Sequence, residues 1–187
     1  MRRCRALLPF WVGLLAIPSL AAAQAQNMAA DQRPMYELPA LTVVVAGETP
    51  LDQRAADLYR QGEWTTAADL YIDAADKMPA MEADSYRPLD MAGRLYFYGR
   101  EYGKARRAME RAAKVAEATG DVVSAALRHI DAAFIAVWEG YPGSRREHIQ
   151  KALEHAQTEG FGEENAGKIQ ALIYGVESLP VAEGDNQ

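Results

Sequence analysis

The chain has 187 residues, of which 49% are apolar and 25% charged, and a net charge of −6 at pH 7. That length allows one globular domain, and that balance excludes a wholly disordered chain or a collagen-like or low-complexity fibre. The acidic excess argues against general binding of nucleic acid or of anionic membranes.

Three arginines, Arg2, Arg3 and Arg5, precede an apolar run from Leu7 to Leu20 and the small residues Ala21, Ala22 and Ala23 before Gln24. This three-part layout predicts a secretory signal peptide over residues 1 to 23. The run contains Pro9 and Pro18 and falls short of the roughly 20 apolar residues of a spanning helix, so no membrane span is expected after cleavage. Cleavage after Ala23 or after Ala25 fits the Ala-x-Ala pattern. Cys4, the one cysteine, sits ahead of the apolar run and not at the cleavage point, which speaks against a lipid anchor. The exported chain, periplasmic or secreted, then has 17 basic and 26 acidic residues, a charge of −9, and no cysteine. It must hold itself together by packing.

Residues 24 to 48 carry Pro34 and Pro39 and show no helical period. They read as an extended linker with a possible strand at Leu41-Thr42-Val43-Val44-Val45. That strand either packs against the first pair of helices downstream or adds to the sheet edge of a partner.

From residue 49 the chain repeats. An offset of 38 pairs Ala55 with Gly93, Leu58 with Tyr96, Glu63-Trp64 with Glu101-Tyr102, Ala67 with Ala105, Tyr71 with Met109 and Ala74 with Ala112. An offset of 40 carries Gly93 to Ala133, Tyr96 to Ala136, Met109 to Ile149 and Ala112 to Ala152. Each copy reads as two antiparallel helices, with Ala55, Gly93 or Ala133 admitting the partner backbone. In the second helix Ala67, Tyr71 and Ala74 share one face, while Arg106, Glu110 and Lys114 form a solvated face with favourable charge pairs. Thr49-Pro50-Leu51-Asp52 predicts a helix start and Thr119-Gly120-Asp121 a stop followed by a new start. Helix ends are expected at Glu139-Gly140 and Glu159-Gly160. A last helix over residues 163 to 176, with Ile169, Leu172, Ile173 and Val176 on one face, is expected to cap the array. Residues 179 to 187 read as a disordered tail.

These positions resemble the tetratricopeptide repeat family. Residues 49 to 79 carry Ala55, Leu58, Gly62-Glu63-Trp64, Ala67, Tyr71, Ala74 and Pro79 where the family has its signature. Residues 86 to 117 carry Gly93, Tyr96, Glu101-Tyr102, Ala105, Met109 and Ala112, with Glu117 in place of the closing proline. Residues 126 to 157 form a degenerate third copy. The resemblance implies an all-α, short right-handed solenoid of three helix pairs plus a C-terminal capping helix, over residues 49 to 178. It further implies a non-catalytic scaffold of the bacterial cell envelope that binds a protein or peptide in a concave groove, without a cofactor. The family's groove positions fall on Asp52, Tyr59, Arg60, Asp90, Arg94, Phe97, Tyr98, Ile130, Phe134 and Trp138, whose polar members are expected to face the groove. The alternative functions are a self-associating assembly component and a hydrolase.

No catalytic constellation is present in the sequence: there is no nucleophilic cysteine after export, no Gly-x-Ser-x-Gly elbow and no phosphate-binding glycine loop. His148 and His155 are seven residues apart, about 10.5 Å along a helix. One metal ion with bonds of about 2 Å does not bridge that gap. With Glu147, Lys151 and Glu154 around them, and with His129, they read as solvated surface and not as a metal site. Lys104, Arg107, Arg111 and Lys114 read as a soluble stripe balanced by Glu110 and Glu117, or alternatively as a docking face for an acidic partner.

Overall fold

The computed structural model describes residues 49 to 79 and 86 to 180. The expected signal peptide, the expected linker with its possible strand, residues 80 to 85, and residues 181 to 187 of the expected tail lie outside the described residues. Among the described residues the chain is all helical. The helices are α1 (Pro50–Arg60), α2 (Trp64–Lys77), α3 (Tyr86–Tyr98), α4 (Tyr102–Ala118), α5 (Val122–Glu139), α6 (Pro142–Ala156) and α7 (Glu163–Glu177). Three pairs and a seventh helix are the expected number and order. None of these helices is long and apolar enough to cross a membrane.

Local chemistry sets the boundaries. The Thr49 hydroxyl accepts from the Asp52 N–H and the Asp52 carboxylate accepts from the Thr49 N–H, each at 3.1 Å, so two orphan donors of α1 are satisfied reciprocally, with Pro50 just inside the helix. Four turns share one construction. The N–H of Glu63, Glu101, Asp121 and Tyr141 each returns to a carbonyl five residues back, at 2.9 Å. The residue before it is left-handed: Gly62, Arg100, Gly120 or Gly140, with φ of 78°, 61°, 77° and 76°. This closure satisfies the last carbonyls and reverses the chain in two or three residues, so neighbouring helices run antiparallel. Gly62, Arg100 and Gly140 stand 38 and 40 residues apart, the two repeat periods.

Each helix packs on the next, and α7 packs on both α5 and α6. The seam between them is built from alanine: Ala55, Ala67, Ala92, Ala105, Ala112, Ala133, Ala136 and Ala152 have no exposed surface. Tyr71, Tyr96 and Met109 fill the spaces between these close approaches. At Gly93 the approach is closest, for a Cβ built there would lie 2.8 Å from the Met109 methyl carbon. Ile169, Ile173 and Val176 of α7 are buried with Phe161 against the preceding pair.

Helix α5 starts at Val122, at the new start expected after Thr119-Gly120-Asp121, where the Asp121 carboxylate caps it by accepting from the Ser124 N–H. Two boundaries differ from expectation. Helix α6 ends at Ala156 and not at Gly160; Gly160 and Gly162, with φ of 86° and 82°, shape the turn that carries Phe161 inward. Leu179, expected in the tail, packs on the core, and its carbonyl accepts a hydrogen bond from Arg145 at 3.3 Å.

Candidate functional site

The projected groove residues divide into two groups. The aromatic members Tyr59, Phe97, Tyr98, Phe134 and Trp138, joined by Trp64 and Tyr102, form a continuous row of rings. Centroid separations run 6.4 Å from Tyr59 to Trp64, 6.3 Å to Tyr98, 5.9 Å to Phe97, 5.3 Å to Phe134 and 6.3 Å to Trp138. Trp138 also meets Phe97 at 6.0 Å and Tyr102 at 6.3 Å. The row crosses α1 to α5 near the turns inside the helix pairs. A cleft of about 240 Å³ opens beside it, lined by Gly62, Trp64, Thr65, Tyr98 and Arg100. Trp138 is 51% exposed and Tyr141 beyond it 58%. Arg60 is exposed and pairs with Asp57.

Three of the polar members, Asp52, Asp90 and Arg94, do not face a groove, which corrects the expectation for them. Asp52, Asp90 and Arg94 are buried, as are Ile130 and Phe134. Asp52 is consumed by its cap and by a hydrogen bond from the Tyr71 hydroxyl. Burial, that bond and the Asp52 charge all raise the Tyr71 pKa. Asp90 lies between Arg94, whose Nε and Nη2 donate at 3.1 Å, and Arg128 of α5, which also reaches Asp131 at 3.2 Å. These four charges form a neutral buried network that ties α3 to α5.

The histidines are the second correction. His129 and His148 are not solvated surface: they are 3% and 2% exposed, and His155 is half-buried. The three rings stack, His129 lying 5.7 Å from His155 at 11° and 5.4 Å from His148 at 24°. Two carboxylates of α4 complete the cluster. Glu117 Oε1 lies 3.1 Å from both His129 Nε2 and His155 Nε2. Glu110 Oε1 lies 3.1 Å from His148 Nε2 and also accepts from Arg106. The His129 and His148 Nδ1 atoms are 3.2 Å apart.

The electrostatics follow from these contacts. The hydrogen bond to His148, and then Arg106, pull the Glu110 pKa down to about 2. Burial pushes the Glu117 carboxyl up, but the two histidines outweigh it and its pKa falls below the usual range. Burial holds the His129 pKa down, against the attraction of Glu117. The basic stripe of Lys104, Arg107, Arg111 and Lys114 is exposed as expected, but Glu110 and Glu117 do not balance it. Arg111 pairs instead with Asp76 of α2 and Lys104 with Glu101.

A signal for the cluster was present in the sequence. Glu110 and Glu117 are seven residues apart, as are His148 and His155, so each pair shares one face of its helix, and the two pairs stand 38 residues apart, two short of the offset that relates these copies. One ligand atom from each of Glu117, His129 and His155 lies within 4.8 Å of the others.

Fold and sites together define an all-α protein of successive helix pairs, with an aromatic row near one set of turns and a histidine–carboxylate cluster joining α4, α5 and α6. No protein family, curated protein or solved structure matches the chain.

Proposed function

We propose that the protein is an exported, non-catalytic scaffold of the bacterial cell envelope, a tetratricopeptide-like solenoid that binds an extended segment of a protein partner. The observation that carries this reading is the aromatic row ending in half-exposed Trp138. Rings braced against one another offer rigid contact area at little entropic cost, and Trp is a residue type in which binding energy concentrates. The signal-like N-terminus supports the compartment, and the acidic charge favours a protein partner over nucleic acid.

The test places a photo-reactive phenylalanine analogue at Trp138 and, separately, at exposed Gln170 of α7. A discrete adduct in envelope extracts is expected from position 138 and none from 170. With the partner so identified, Trp138→Ala should weaken its affinity at least about tenfold. Unchanged affinity rejects the aromatic row as the binding surface, and an adduct of the chain with itself replaces the scaffold reading with a self-assembling component.

A further inference from the structure

Glu117, His129, His148 and Glu110 form a row of two imidazoles flanked by two carboxylates that the scaffold reading leaves unused. Neighbouring nitrogen and oxygen atoms along it are 3.1, 3.2 and 3.1 Å apart. At each of these three contacts two lone-pair atoms face each other and need a positive hydrogen between them. Two neutral imidazoles supply only two N–H groups, whichever tautomers they adopt. One contact must therefore be filled by something else, either an extra proton or a cation. Among the described residues a cation finds a third ligand of this kind at the Glu117 end, where His155 Nε2 also lies 3.1 Å from the carboxylate oxygen.

We propose that Glu117, His129 and His155 bind one divalent transition-metal ion of the zinc type, tying α4, α5 and α6 together. Two imidazole nitrogens and a carboxylate oxygen suit such an ion, and three protein ligands leave a fourth position to water, as in open zinc sites. Bonds of about 2.0 Å separate ligand atoms at tetrahedral corners by about 3.3 Å. Two of the present separations are already 3.1 Å, and a small rotation of half-buried His155 closes the third. The rest of the row orients the buried ligand. His129 donates from Nδ1 to His148, His148 donates from Nε2 to Glu110, and Arg106 anchors Glu110. That leaves the His129 Nε2 lone pair aimed at the ion, the role that outer hydrogen bonds play around metal-bound histidines. The sequence spacing of His148 and His155 argued against a shared ion and does so still, for the ion takes His155 with His129 of the neighbouring helix.

The full chain is titrated with Zn²⁺ by calorimetry and with Co²⁺ by visible absorption. One equivalent should bind, and Co²⁺ should give the intense bands of a four- or five-coordinate site without a thiolate charge-transfer band from Cys4. His155→Ala and Glu117→Gln, at positions exposed enough to leave the fold intact, should each weaken Zn²⁺ binding at least about 100-fold, beyond what loss of an outer partner costs. Glu147→Gln on the open face of α6 should leave it unchanged. Saturating Zn²⁺ should raise the thermal midpoint of the wild type but not of His155→Ala. The proposal is overturned if the wild type binds no ion, in which case a proton fills the third contact. It is equally overturned if His155→Ala binds as the wild type does, or if Co²⁺ gives only the weak bands of a six-coordinate aquo ion.

Discussion

Asp90 shows what a single side chain can hold. Its carboxylate is 9% exposed and lies between Arg94 and Arg128, which are 6% and 10% exposed. Removing one member of a buried charge network leaves the others desolvated without their partner, at a cost of about 3–5 kcal/mol. Asp90→Ala should therefore lower the urea-unfolding free energy by about that amount. A loss below about 1 kcal/mol, the value of an exposed pair, would show that water reaches the two arginines. The same burial means that Arg94 cannot be truncated as a harmless surface residue. Residue type alone does not reveal this, because an Asp and an Arg four apart on a helix look the same whether solvated or enclosed. The partner that encloses them, Arg128, is 38 residues away. Arg100 is legible only in part for a related reason: the repeat places it at the left-handed position that Gly62 and Gly140 occupy, but an arginine carries no turn signature.

At the scale of the helix pair, the small residue in each first helix is the feature the sequence exposes most directly. Ala55, Gly93 and Ala133 recur at the repeat offsets, and each is buried. Gly93 is the tightest, facing the Cγ, Sδ and Cε atoms of Met109 at 3.1, 3.0 and 2.8 Å from a built Cβ. Gly93→Val should force α3 from α4 and cost about 1–3 kcal/mol. Met109→Ala alone opens a cavity and should cost about 2–5 kcal/mol. In the double variant the valine methyls enter the space the methionine vacates, so the combined loss should be smaller than the sum, a favourable coupling readable from a denaturation cycle. Additive losses would mean that the two side chains do not compete for one space. The histidine cluster is the opposite case: its groups come from three helices, and periodicity within any one of them predicts only a polar face.

The whole molecule is connected in chain order, so its stability should be graded along the chain. Helix α1 packs on α2 and contributes three buried residues, Asp52, Ala55 and Ala56. Helix α5 contributes 12, lies against α4, α6 and α7, and holds Arg128 and His129 of the two buried polar clusters. Where contacts run between neighbours, an end unit opens without the rest, because opening it breaks only one interface. Native-state hydrogen exchange should therefore give amides of α1 from Arg54 onward an opening free energy well below that of α5 amides from Ala126 to Val137. Helix α7 should fall between them, since it sits at the other end but closes on two helices and buries Ile169, Ile173 and Val176. Denaturant dependence separates the mechanisms: α1 exchange should show a small slope, that of a local opening, while α5 exchange should follow global unfolding. Equal opening energies and equal slopes in α1 and α5 would make the chain a single cooperative unit, and the repeat would then describe its sequence without describing how it unfolds.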